Sequence, residues 1–252
     1  WMYRYPHAEF PYEQLRAENA RRGRDDREYE LSDTGVLDEN RFFDVLVTYA
    51  KASPDDICVR IEITNHGPEA ASVDVLPHLW LRNTWAWGRD ARGGMIRAID
   101  EHRLPSEALR AVVVTHGQLG RYYLSGAGEP RLLFCDNETN AVKLFGAQEN
   151  RTPFPKDGID RFVVAGDEEA INPDNRGTKC ALMYSFDDVE PGGTRVIKLR
   201  LSQSEPAAET FEGGFDAVFA DRKDEADEFY DAVIGSHVSD VDRHVSRRAY
   251  AG

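Results

Sequence analysis

Lysine is scarce in this sequence. Of 31 basic residues only those at 51, 143, 156, 179, 198 and 223 are lysine, against 45 aspartates and glutamates, and the formal net charge is −14. A phosphate backbone is gripped by a basic stripe. The one dense basic run, Arg21-Arg22-Gly23-Arg24, meets Asp25 and Asp26 at once and reads as a solvated or internally paired loop. The charge therefore argues against nucleic acid as a partner. No apolar run approaches the roughly 18 residues of a membrane span, so no membrane partner is expected. The opening Trp1-Met2-Tyr3-Arg4-Tyr5-Pro6 lacks the regions of a signal peptide and reads like the interior of a longer protein.

Cysteine is equally sparse. Cys58, Cys135 and Cys180 are odd in number, far apart and set among apolar residues. They read as buried free thiols in a reducing compartment, which points to the cytoplasm. HExxH, CxxC, a phosphate-binding glycine loop and a nucleophile-elbow serine are all missing. His237 and His244 lie seven apart, but His237 precedes a helix cap, which argues against a shared metal. No cofactor, no metal and no catalytic residue is assigned within this chain.

What remains is a chain of 252 residues, 41% hydrophobic and 30% charged, long enough to bury a substantial core. Its hydrophobic period changes twice. Pro11 to Asn19 reads as a short helix with proline in the first turn. From Phe42 the period is two, as Phe43, Val45, Val47 and Tyr49 alternate with Phe42, Asp44, Leu46 and Thr48. Further strands are predicted over 57–64, 73–75, 111–115, 121–125, 131–135, 141–145, 161–164, 179–186 and 194–202. Pro191-Gly192-Gly193 reads as a hairpin turn between the last two. Many short strands with frequent turns and no βαβ alternation predict a mainly β fold, an antiparallel β-sandwich. After Gly214 the period becomes helical to Ile234. Ser239-Asp240-Val241-Asp242 resembles a capping box and opens a second helix.

Tryptophan is concentrated in Leu76–Gly88, which holds Trp80, Trp85 and Trp87. Leu76, His78 and Trp80 alternate with Leu79 and Leu81, so apolar residues fall on both faces and predict a central strand. Asn83-Thr84 breaks the pattern, and Trp85 and Trp87 would share one face if the chain stayed extended. Flat apolar faces beside a cation and an amide suit a sugar ring. The candidate substrate-binding residues are therefore Arg82, Asn83, Trp85 and Trp87. A purely structural role is the competing reading, and it outweighs binding for Trp80.

The strings YPHAEFPY, YELSDTGVLDENRFFDVLVTYAK, LWLRNTWAWG, LFCDNETN, KDGIDRFVV, NPDNRGTKCALMY and FADRKDEADEFY occur in that order. Together they resemble the N-terminal part of bacterial and archaeal glucosidases similar to glycoside hydrolase family 63, which includes mannosyl-oligosaccharide glucosidases and mannosylglycerate hydrolase-like relatives. The resemblance implies a super-sandwich preceding an (α/α)6 barrel, hydrolysis with inversion, and acid and base carboxylates in the barrel. Residues 1–210 would be an N-terminally incomplete sandwich, and 211–252 a helical linker ending at HVSRRAYAG, where the barrel begins. On this reading the chain is a non-catalytic fragment of an inverting α-glycosidase, inactive alone. Its partners would be a carbohydrate, met through the parent enzyme, and the intramolecular barrel. Two alternatives stand beside it: a carbohydrate-binding or purely structural module, and a sugar-ring epimerase using His78, His102 or His116.

Overall fold

The computed structural model describes residues 1–88, 93–212, 214–235 and 237–251. Its elements begin with β1 (Met2–Pro6), α1 (Tyr12–Arg21), β2 (Phe42–Ser53), β3 (Asp56–Asn65), β4 (Ala71–Val75) and β5 (His78–Trp80). There follow β6 (Gly94–Ala98), β7 (Leu109–His116), β8 (Gly120–Ala127), β9 (Arg131–Cys135), α2 (Ala141–Phe145) and α3 (Gly158–Ala165). The last are β10 (Arg176–Gly177), β11 (Lys179–Val189), β12 (Thr194–Ser202), α4 (Gly214–Ile234) and α5 (Asp240–Ala251).

Period-two patterning does the first work. In β2 and β3 the pleat sends Phe43, Val45, Ile61 and Ile63 to one face, and the same face of β12 carries Ile197 and Leu199. These strands form part of an eight-stranded sheet in the order β1-β2-β3-β12-β8-β7-β6-β10. A smaller sheet centres on β11, with β4 and β5 along one side and β9 along the other. Every described strand pair is antiparallel. Val73, Phe134, Leu182 and Val189 of the smaller sheet join the cluster formed by the larger one, so one core serves both. The fold is mainly antiparallel β, as the patterning predicts.

The opposite face of the large sheet is covered at one end by α4, where Phe215 and Phe219 pack with Ala50 and Cys58. Both helices at the end of the chain lie where periodicity put them. Ser239 accepts the Asp242 amide at 3.2 Å and donates to its carboxylate at 2.7 Å, so the Ser239 side chain caps α5 while Asp242 meets its hydroxyl and not its backbone amide. Cys58, Cys135 and Cys180 are buried free thiols. No described helix is long and apolar enough to cross a membrane.

Several expectations are corrected. The runs 141–145 and 161–164, read as strands, belong to helices α2 and α3. Short apolar runs do not distinguish the two by period, and here the flanks decide. Asn140 caps α2 by accepting the Lys143 amide at 3.0 Å, while Gly146 and Gly166, at φ +65° and +67°, close α2 and α3. Pro191-Gly192-Gly193 is not a hairpin, because β11 and β12 belong to different sheets. The turn instead docks on the end of β3, where Gly192 donates to the Asn65 carbonyl and the Asn65 amide donates to Gly193. Strands β1, β6 and β10 were not predicted; each is short or polar.

The strand before the tryptophans is not central. β4 and β5 hold one register against β11 across Leu76-Pro77, and Leu182 donates to the Pro77 carbonyl at 3.0 Å. Together they form an interrupted edge strand. Pro77 has no N–H to offer, which suits an edge position. Val73 and Leu81 face the core, while His78 and Trp80 face outward.

Candidate functional site

Leu81 anchors the tryptophan segment. Its side chain is in the core, and its amide donates to the Thr178 carbonyl at 2.9 Å. Beyond it the chain leaves the sheet and coils into a 3-10 turn, Trp85–Trp87, instead of remaining extended. Asn83 Oδ1 accepts the Ala86 amide at 3.0 Å, and Gly88 closes the turn at φ +66°. With three residues per turn, residues two apart point in different directions. Trp85 therefore packs against the core while Trp87 stays 57% exposed, its ring beneath the Arg82 guanidinium at 5.4 Å. The shared face expected for this pair does not form.

A polar loop after β9 locks the turn. Asn83 Nδ2 donates to the Asn137 carbonyl at 2.6 Å and to Glu138 Oε2 at 3.2 Å, and Trp85 Nε1 donates to Glu138 Oε1. Asn137 Nδ2 reaches back to the Leu81 carbonyl at 2.9 Å. Beneath them the buried Asp136 carboxylate accepts from Thr152 Oγ1 at 2.7 Å and from the Thr178 amide at 3.1 Å. Gly177 lets this arrangement close, since a Cβ there would lie 2.2 Å from the Cys135 carbonyl oxygen. Each buried polar atom finds a partner, which is what makes such a network rigid.

Between this turn and the β7–β8 connection lies a cleft of about 540 Å³. Trp80, Arg82, Thr84, Trp85, His116 and Gln118 are among its lining residues. Trp80 is 57% exposed, so its indole is free to take a ligand face. His116 Nδ1 accepts the Gln118 and Leu119 amides at 3.2 and 3.3 Å, leaving Nε2 as the N–H of the neutral ring. The surface thus combines indole with a guanidinium, an imidazole, an amide and a hydroxyl, which suits a neutral polyol ring. Its described lining holds no carboxylate. An acid and base pair for glycoside cleavage cannot be assembled from it.

Of the four residues singled out in the sequence, Arg82 and Trp85 line the cleft. Asn83 turns into the fold, and Trp87 lies outside the lining under Arg82. Trp80, read as structural, is the more open indole of the cleft. His116 and Gln118 come from a distant strand connection and had no local signal beyond the histidine itself. Glu138 had one: the polar run Asp136-Asn137-Glu138-Thr139-Asn140 directly after an apolar strand. Burial pushes the Cys135 thiol up to about 11 and the Cys180 thiol up to about 12, so neither forms the reactive thiolate near neutrality. Among the described residues no group of three His, Cys, Asp or Glu side chains is arranged to hold a metal.

An uncharacterized protein of Saccharomyces cerevisiae, YMR196W, is 30% identical to this chain over 291 aligned residues. The alignment takes in the whole of the chain but 26% of the yeast protein, so the chain spans about a quarter of that relative's length. No protein-family model matches the chain.

Proposed function

We propose that this chain is the β-sandwich region of an inverting α-glycosidase and contributes a sugar-contacting wall rather than catalytic groups. The observation that carries the reading is the cleft itself: an exposed indole, Trp80, with Arg82, Thr84, His116 and Gln118 around it and no carboxylate in the described lining. The ordered strings similar to family 63 glucosidases support it from the sequence side. The acid and base would then stand on a helical barrel outside this chain, far enough apart to admit the attacking water. The partners are a glucoside or oligosaccharide and that barrel, and the setting is the cytoplasm. The two sheets around one core are the sandwich of this reading, and α4 and α5 are its approach to the barrel.

The network around Glu138 favours a second reading for two residues. Asn83 and Trp85 are tied into the fold, so they hold the wall in shape whether or not sugar touches it. The test uses full-length protein with an aryl α-glucoside. Trp80→Ala should lower kcat/KM by about three- to tenfold, the worth of one aromatic contact, with an unchanged melting temperature. Trp85→Ala should instead lower the melting temperature. Unaltered kinetics in a folded Trp80→Ala protein would reduce the region to a structural module.

A further inference from the structure

Away from the tryptophan cleft, the outward face of β6, β7 and β8 floors a second groove of about 610 Å³. Cross-strand register puts Arg97 beside Val113 and Val113 beside Tyr123, and in the next row Met95 beside Thr115 and Thr115 beside Arg121. All six residues line the groove, and Arg103 reaches it from the segment after β6. We propose that this groove is a binding site for a phosphate group, with Arg97, Arg103 and Arg121 as its ligands.

The gathering of three arginines in one groove is the unusual feature. Many other guanidinium groups of this chain meet a carboxylate, as in Arg4–Asp44, Arg41–Glu69, Arg131–Glu168 and Arg200–Asp56. Among the described residues, no carboxylate, carbonyl or aromatic ring partners the side chains of Arg97, Arg103 or Arg121. Two carboxylates also line the groove, and both are engaged. Glu205 accepts the Tyr123 hydroxyl at 2.8 Å, and Asp100 accepts the His102 amide at 3.1 Å. Arg97 moreover lies directly opposite Arg176 in the β6–β10 ladder. Like charges facing across a ladder destabilise it. Arg176 has Asp174 at 3.0 Å to relieve it, whereas Arg97 has no such partner.

A guanidinium cannot shed its proton to escape this crowding, and its planar fork matches phosphate oxygens two at a time. In a chain of net charge −14 the general field repels anions. Three unpartnered arginines in one concavity thus mark a local exception. The groove is large enough for a sugar-sized body behind the phosphate. The same chemistry is offered by a free phosphate ion and by a phosphate monoester, and the experiment separates them.

Calorimetric titration of the full-length protein at matched sodium chloride concentration would compare inorganic phosphate, glucose 6-phosphate and glucose. Saturable binding of the phosphate-bearing probes, and none of glucose at this site, is expected. Tighter binding of glucose 6-phosphate identifies an ester site, and equal binding identifies a free-phosphate site. Arg97→Gln and Arg121→Gln, both at exposed positions, should each weaken it about tenfold or more. Trp80→Ala should leave it untouched, which keeps this result separate from the sugar cleft. Absence of binding by both phosphate probes, or affinity unchanged in the arginine variants, would overturn the proposal.

Discussion

Asn65 lies fully buried at the end of β3, and its amide group meets three backbone groups. Nδ2 donates to the Val189 carbonyl at 2.7 Å and the Glu69 carbonyl at 2.8 Å, while Oδ1 accepts the Gly67 amide at 2.8 Å. This side chain therefore holds the crossover from β11 to β12 against the turn after β3. Removing it orphans the Val189 carbonyl and the Gly67 amide, whose bonds to it are buried. Asn65→Ala should cost about 2–4 kcal/mol, read as a lower urea midpoint at unchanged slope. An unshifted midpoint would mean that water replaces the amide. The sequence marks Asn65 only as the start of Asn65-His66-Gly67-Pro68, the end of a strand. Its role depends on Val189, which no local pattern can bring near.

Helix α4 is an element with two different ends. Phe215 is fully buried and Phe219 nearly so, both against the sheet, whereas Phe229 is 57% exposed. Phe215→Ala opens a cavity under the helix and should cost about 3–5 kcal/mol. Phe229→Ala should change stability by less than about 0.5 kcal/mol, as an exposed site does. Denaturation of the two variants side by side checks this, and equal losses would mean that the whole helix is clamped. Period 3.6 alone places both phenylalanines near one face. Only the sheet beneath the first turns distinguishes them. Helices α2 and α3 teach the complementary lesson, since their apolar runs were legible as elements but not as helices. Asn140, Gly146 and Gly166 carry the missing information, in the capping chemistry at their ends.

For the molecule as a whole, the three buried thiols report on folding. Burial raises all three, Cys135 to about 11 and Cys180 to about 12, against 9.0 in the open chain. Above pH 9 the unfolded chain releases thiol protons that the folded chain retains, so the unfolded state gains and stability falls as pH rises toward 11. Urea midpoints measured from pH 8 to 11 should decline, with a shallower decline in Cys180→Ala. At pH 8 a thiol reagent should label the native protein far more slowly than the urea-unfolded one. Equal labelling rates would contradict the burial.

Sequence by itself determined the period of the longer segments: the extended strands of the middle, helices over 214–234 and after Ser239, and thiols bound for the interior. These follow from side-chain spacing and from caps within four residues, which act locally whatever the chain does elsewhere. Tertiary structure decided the rest. It made the strand before Trp80 an edge, sent β11 and β12 into separate sheets, split Trp85 from Trp87, and gathered Arg97, Arg103 and Arg121 in one groove. Those outcomes depend on which distant strands pair and which faces they bury. That choice is made by the packing of a shared core between residues such as Ile63 and Leu182, far apart in the chain.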